Sequence, residues 1–275
     1  MNKVENRERA NFAKLKNAKV VLLDLDGTLY IDYEPISGVI DSLCRLRLGG
    51  RKLVYLTNNS SKSYADYEKN LQATGIFRDG DEIYTSAMAT AEFLIAEKPG
   101  ARVYLLAPEP VKKDFRDAGI NIAEDNPDVA VLAYDTTLDY KKIRKFDYFL
   151  KKGVYYVATH PDLTCPAKDC DAPDAGAFIE MFRASSGRIP DLIIGKPRPT
   201  MGERIKARYG VRSDEVLMIG DRLSTDIAFG NNCGFYTALV YTGETTRGIY
   251  AASEIRATVD CENFAELTEK ILSDE

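Results

Sequence analysis

Residues 20–38 read VVLLDLDGTLYIDYEPISG, and the fold turns on how the first eight are understood. The apolar run at 20–25 carries a carboxylate at Asp24 and is followed at once by Asp26 and Gly27. An Asp-Gly pair between apolar runs is a hairpin signal, because glycine supplies the positive φ of a tight turn. The competing reading makes residues 20–24 a buried parallel strand with two carboxylates at its carboxyl end, where open α/β sheets build their ligand crevices. Taken alone, the stretch favours the turn.

Its surroundings favour the strand. Strand-like apolar runs recur at 53–56, 103–106, 129–133, 154–158, 192–194, 216–219 and 238–241. Helix-like segments lie between most of them, such as SYADYEKNLQATG, in which Tyr64, Tyr67, Leu71 and Thr74 share one face at helical spacing. Strand alternating with helix reads as βαβ units and a mostly parallel sheet. The middle of the chain has its own strands and is bounded by the turn signals RDGDE and SSGRIPD. The expected architecture is α/β: a Rossmann-like parallel-sheet core from residues 1–79 and 188–275, with a smaller α/β cap domain inserted at 80–187.

Composition removes several classes of function. The net charge is -5, with Lys and Arg spread along the chain, so the basic stripe that phosphate-backbone binding needs is missing and no nucleic-acid partner is expected. No apolar run approaches bilayer-spanning length, and the charged start MNKVENRERANFAKLKNAK lacks the apolar centre of a signal peptide. A cytoplasmic protein with no membrane partner is expected. Five irregularly spaced cysteines give no disulfide framework. A single histidine, His160, argues against His-based triads and multi-histidine metal sites.

Four short segments stand at the carboxyl ends of expected core strands: DLDGTLY with Asp24 and Asp26, YLTNNSS with Thr57, Asn58 and Asn59, IIGKPRP with Lys196, and MIGDRLSTD with Asp221 and Asp226. Each has a plain alternative. Thr57 to Ser61 reads as a turn and N-cap cluster, Lys196 as a solvated loop cation, and GDRLSTD as a turn before a capped helix. In one parallel sheet, however, all four converge on one edge, and four such coincidences together point to function.

In this order the four segments resemble the motifs of the haloacid dehalogenase superfamily of aspartate-nucleophile phosphotransferases. The YTSAMATAEFL segment and the large insertion between the second and third motifs resemble the subfamily of NagD and the p-nitrophenyl phosphatases. The likeness runs from about residue 19 to residue 242. It implies a phosphatase in which Asp24 attacks phosphorus and becomes an aspartyl phosphate. Asp26 then protonates the leaving alkoxide, later activates the hydrolytic water, and lends its backbone carbonyl to a metal. Asp221 is implied as the third metal ligand beside Asp24 and Asp26, with Asp226 ordering the metal's waters. Thr57 and Asn58 are implied to hydrogen-bond the phosphoryl, aided by backbone N–H groups at the start of the next helix. Lys196 is implied to neutralise developing charge.

Electrostatics explains why the set needs cations. At 4 Å a pair of like charges opposes approach by about 4 kcal/mol at an effective dielectric near 20, roughly a thousandfold in rate. A hard dication held by few carboxylates, Mg²⁺, meets that need. An acid at Asp26 also favours phosphate-ester hydrolysis over dehalogenation, since halide leaves without a proton.

The segment at 160–174 holds proline, small residues and acids, and is expected to be the substrate-facing loop of the cap. The substrate-binding candidates are Gly27, Thr57, Asn58, Asn59, Lys196, His160 and Asp162. His160 could bind zinc with Cys165 and Cys170, but the spacing fits no standard finger; a loop histidine and two reduced thiols are expected instead. The function expected is hydrolysis of small phosphate monoesters, whether sugar phosphates, nucleotides or aryl phosphates. The alternatives are a non-catalytic phosphometabolite-binding protein and a phosphotransferase. The segment NRERANFAKLK reads as a surface helix or a dimer contact, and a homodimer is admissible.

Overall fold

The computed structural model describes residues 3–166 and 170–273. Strand Val20–Leu23 is buried at all four positions. It runs parallel to Val216–Gly220 on one side and to Lys52–Thr57 on the other. A strand covered on both faces has no polar alternation to show, which is why this run reads as continuous apolar sequence. The sheet has six strands, in the order Val259–Cys261, Tyr236–Val240, Val216–Gly220, Val20–Leu23, Lys52–Thr57 and Glu82–Thr85. The direction of winding reverses between Val216–Gly220 and Val20–Leu23, and a parallel sheet opens its ligand crevice at such a switch.

The hairpin reading was not empty. Immediately beyond the strand, Gly27 adopts φ 79° and its N–H bonds Tyr30 O at 2.9 Å, and a two-stranded antiparallel ribbon, Tyr30–Ile31 with Glu34–Pro35, follows. The turn sits after a parallel strand rather than between two antiparallel ones.

The chain forms two compact units, residues 1–56, 68–83 and 202–275 in one, 57–67 and 84–201 in the other. In the first, helix Val39–Leu48 buries Val39, Ser42, Leu43 and Leu46, the 3–4 spacing of a one-sided helix, and packs on helix Phe264–Leu272. The N-terminal segment is a helix, Lys3–Leu15, whose Phe12 and Leu15 are buried against the same unit. Asn11 Nδ2 donates to Thr258 O at 3.0 Å.

The second unit has a five-stranded parallel sheet, ordered Leu192–Ile193, Tyr155–Ala158, Val129–Leu132, Arg102–Leu106 and Asn121–Ile122. Helices Tyr140–Lys151 and Ala175–Ser186 close an aromatic core around Phe146 and Phe182, whose ring centres lie 4.7 Å apart.

Two expectations change here. Strand Leu192–Ile193, expected in the core sheet, pairs with Val157 and Ala158 of the second. The Asp191 carboxylate accepts the Tyr156 N–H at 2.7 Å, which fixes that register. The compact units also depart from the expected divisions at 79/80 and 187/188, because residues 57–67 and 188–201 are held by long-range bonds within the second unit, among them Ser60 to Thr159 and Tyr64 N–H to Asp114. Among the described residues, no helix is long and apolar enough to cross a membrane.

Candidate active site

Asp24 follows strand Val20–Leu23, and its N–H continues the parallel ladder by bonding Ile219 O at 2.9 Å. Asp221 follows Val216–Gly220, the adjacent strand. One turn on, residues Leu223–Ile227 form a wide π turn that brings Asp226 back toward the strand end. Asp24, Asp221 and Asp226 each offer a carboxylate oxygen within 4.8 Å of the others. The sequence alone suggests Asp226 one turn into an ordinary helix; the π turn, a frequent feature of functional sites, supplies the inward aim.

Asp221 is buried and holds fixed partners: Thr28 Oγ1 donates to Oδ1 at 3.2 Å and Glu244 N–H to Oδ2 at 2.7 Å. Burial first, and then the charge of Asp226, push its carboxyl above the ordinary carboxylate range. The Arg222 N–H bonds Asp226 Oδ2 at 3.2 Å. Three glycines form the cradle. A Cβ on Gly243 would stand 2.0 Å from Asp221 Oδ2, one on Gly27 2.7 Å from the same atom, and one on Gly220 2.4 Å from Asp226 Cβ. Crowded oxygen-only donors, two of them buried, fit a hard dication. Asp26 is exposed and lies outside this trio; Tyr30 OH donates to its Oδ2 at 3.4 Å.

The remaining candidates assemble within the second unit. Thr57 is buried at the end of its strand, and its Oγ1 accepts the Asn59 N–H at 3.1 Å. Asn59 Oδ1 accepts from the Ser61 N–H at 2.9 Å and the Ser61 hydroxyl at 2.7 Å. Lys196 is 2% exposed, unusual for a lysine without a task. The Asn58 side chain, expected to bond phosphoryl, is committed elsewhere: Oδ1 accepts the Lys196 N–H at 2.8 Å, while Nδ2 donates to Lys196 O at 2.9 Å and to Asp162 at 3.1 Å.

His160 lies in the loop after strand Tyr155–Ala158 but is fully buried there, with Nε2 2.8 Å from Asp174 Oδ1 and Nδ1 2.9 Å from Thr159 Oγ1. Burial opposes its charge most, but the Asp174 and Asp162 carboxylates together outweigh burial and raise its pKa. The acidic residues grouped with it are Asp162 and Asp174, not Cys165 and Cys170, and all five cysteines are free of disulfides. Of the expected substrate loop at 160–174, residues 167–169 lie outside those described. Two of the helix-start amides expected to hold an anion already have partners. Helix Tyr64–Ala73 begins with Tyr64 N–H on Asp114 Oδ2 at 2.8 Å and Asp66 N–H on Ser63 Oγ at 3.2 Å.

Sequence reasoning overlooked Gly243 and Glu244. They lie just past Tyr236–Val240, another core strand, so the strand-end rule that found Asp24 would have found them. Asp174 was hidden, since nothing local marks it as the partner of a histidine 14 residues away.

Residues 21–121 match the haloacid dehalogenase-like hydrolase profile, and residues 193–267 match a second profile of the same hydrolases. The chain is 32% identical to an acid sugar phosphatase of Staphylococcus epidermidis over 89% of this chain and 94% of that one. In structure it is similar to a 4-nitrophenylphosphatase from Thermotoga maritima, with a TM-score of 0.90 and 38% identity over 93% of this chain and 98% of that one. It is also similar to a glycerol phosphate phosphatase from Mycobacterium tuberculosis in complex with calcium, with a TM-score of 0.85 and 27% identity over 92% and 76% of the two chains.

Proposed function

The chain belongs to the haloacid dehalogenase-like hydrolase family, and from that premise we propose that it is a Mg²⁺-dependent phosphatase of small phosphate monoesters acting through an aspartyl phosphate on Asp24. The observation that carries the reading is the meeting of Asp24, Asp221 and Asp226 at the carboxyl ends of two adjacent parallel strands. A structural ion pair has no use for three acids crowded together.

Asp24, Asp221 and the Asp26 backbone carbonyl would hold the cation, with Asp226 behind them. When bound, Mg²⁺ supplies the charge neutralisation that lets an anionic nucleophile approach an anionic ester. The protein's own groups do the rest. Asp24 forms a bond to phosphorus as the ester P–O bond breaks, and the Asp26 carboxylic acid gives its proton to the departing alkoxide. Asp26, now ionised, takes a proton from water as that water attacks phosphorus. The aspartyl P–O bond breaks, releasing inorganic phosphate and restoring both aspartates. Thr57 and Lys196 are assigned to the transferring phosphoryl, Lys196 opposing its charge.

Sugar and aryl phosphates are the substrate classes that the relatives' names support. A cytoplasmic site of action belongs to the same reading, in keeping with five cysteines that form no disulfide.

Hydrolysis of p-nitrophenyl phosphate tests it. Turnover should require Mg²⁺, vanish with EDTA, and fall at least a thousandfold in Asp24→Asn. Near wild-type turnover in that variant would refute the nucleophile.

A further inference from the structure

We propose that Asn58 is a positioning residue that clamps the backbone of Lys196, and that Asp162 sets the orientation of the clamp. The proposal rests on the reading of Lys196 as the cation for the transferring phosphoryl.

The geometry is that of an amide reading a peptide from both sides. Asn58 Oδ1 accepts the Lys196 N–H at 2.8 Å and Asn58 Nδ2 donates to the Lys196 carbonyl at 2.9 Å, 138 residues away in sequence. A side-chain amide can in principle be turned over, exchanging its donor and acceptor ends. Here that exchange is blocked. It would set Oδ1 against the Lys196 carbonyl and against the Asp162 carboxylate, whose two oxygens lie 3.1 and 3.2 Å from Nδ2. Asp162 therefore fixes which end of Asn58 faces which end of the lysine peptide.

The neighbouring residue is shaped for this contact. A Cβ on Gly195 would fall 2.6 Å from Asn58 Oδ1 and 2.8 Å from both His160 Cβ and Thr159 O. Only glycine lets the amide come so close. Asn58 is itself buried and anchored, since Ser86 Oγ donates to its carbonyl oxygen. A long lysine side chain carries much rotamer entropy, so a fixed peptide at its base narrows where the ammonium can go, and a 1 Å error in a catalytic group costs about a hundredfold. The Asn58 amide thus serves catalysis through Lys196 rather than by touching substrate.

The experiment combines kinetics on p-nitrophenyl phosphate with hydrogen exchange at the Lys196 amide. Asn58→Ala should lower kcat at least tenfold while KM and inhibition by inorganic phosphate change less than threefold. Lys196→Ala should lower kcat further. Adding Asn58→Ala to Lys196→Ala should cost less than twofold more, because the clamp then has nothing left to position. Asn58→Asp, which keeps an acceptor but loses both donors and faces Asp162 with a second carboxylate, should behave like Asn58→Ala. Multiplicative losses in the double variant, or a raised KM with weaker phosphate inhibition and intact kcat, would overturn the proposal in favour of direct phosphoryl contact. Exchange of the Lys196 amide should quicken at least tenfold in Asn58→Ala; unchanged exchange would overturn the clamp whatever the turnover. If Lys196→Ala retains full activity, the assignment of Lys196 fails, and with it the catalytic purpose of the clamp, while the exchange result still judges its geometry.

Discussion

Asp174 meets Nε2 of His160 at 2.8 Å while its other contact, also through Oδ1, accepts the Ala175 N–H at the start of helix Ala175–Ser186. One carboxylate thus caps a helix and holds a buried imidazole ring. Removing one partner of a buried charged pair typically costs about 3–5 kcal/mol, so Asp174→Ala should destabilise the protein by that order in urea unfolding. Asp174 and Asp162 favour the charged ring, while burial and Lys196 oppose it, and the balance raises the pKa. A raised histidine contributes stability that is fully present below its unfolded value, near 6.5, and is lost as pH rises through the folded value. The stability gap between wild type and His160→Asn should be widest below about pH 6.5 and narrow as pH rises above it. A gap that widens with pH would contradict the charged assignment.

Gly243→Ala should disable the acidic cluster. Its Cβ would stand 2.0 Å from Asp221 Oδ2, so either the carboxylate or the backbone must move by an ångström or more. Displacement on that scale costs about a hundredfold. Turnover should fall by roughly that factor and Mg²⁺ affinity should weaken, as calorimetric titration would read. Unchanged affinity would mean that Asp221 has room the structure does not give it.

Much of this arrangement was legible in the amino-acid sequence, for a definable reason. Val20–Leu23 and Val216–Gly220 are buried on both faces, so they stand out as short apolar runs, and acids just past such runs are conspicuous. Three-residue Val259–Cys261 and four-residue Glu82–Thr85, at the sheet edges, lacked that contrast. Sheet membership is written in pairing, not in a run's composition, so Leu192–Ile193 looked like a core strand until its partner was seen. Asn58 was visible as a polar residue at a strand end, yet its commitment to Lys196 depends on a contact across 138 residues. The π turn at Leu223–Ile227 likewise has no local signature beyond a polar run that an ordinary helix would also carry.

A second polar knot, remote in role from catalysis, secures the first unit. Arg47 grips Asp81 with two nitrogens, Nε to Oδ1 at 3.0 Å and a terminal nitrogen to Oδ2 at 2.6 Å, and Tyr55 OH lies 3.0 Å from that same Oδ2. The Asp81 side chain is 3% exposed. Tyr55 sits within strand Lys52–Thr57, so the knot ties helix Val39–Leu48 to the strand that leads to Thr57. Asp81→Ala leaves a partly buried guanidinium without its carboxylate and should cost about 3 kcal/mol, read as a lower urea midpoint with the slope unchanged. A loss below 1 kcal/mol would class the pair with solvent-screened surface bridges.

Asp226 separates a metal-supporting role from a structural one. If the trio holds a dication, the cation binds the folded state alone, and saturating Mg²⁺ should raise the melting temperature of the wild type by mass action. Asp226→Asn removes one charge while keeping the size of the side chain and an oxygen able to accept the Arg222 N–H. Groups that support a metal's direct ligands typically contribute about 10- to 100-fold in affinity, so the Mg²⁺-dependent rise in melting temperature should shrink in Asp226→Asn and disappear in Asp221→Asn. Without metal the order should reverse: relief of repulsion beside the buried Asp221 should make Asp226→Asn at least as stable as the wild type at neutral pH. A variant less stable than wild type in EDTA, with its Mg²⁺ response intact, would assign Asp226 to the fold and not to the cation.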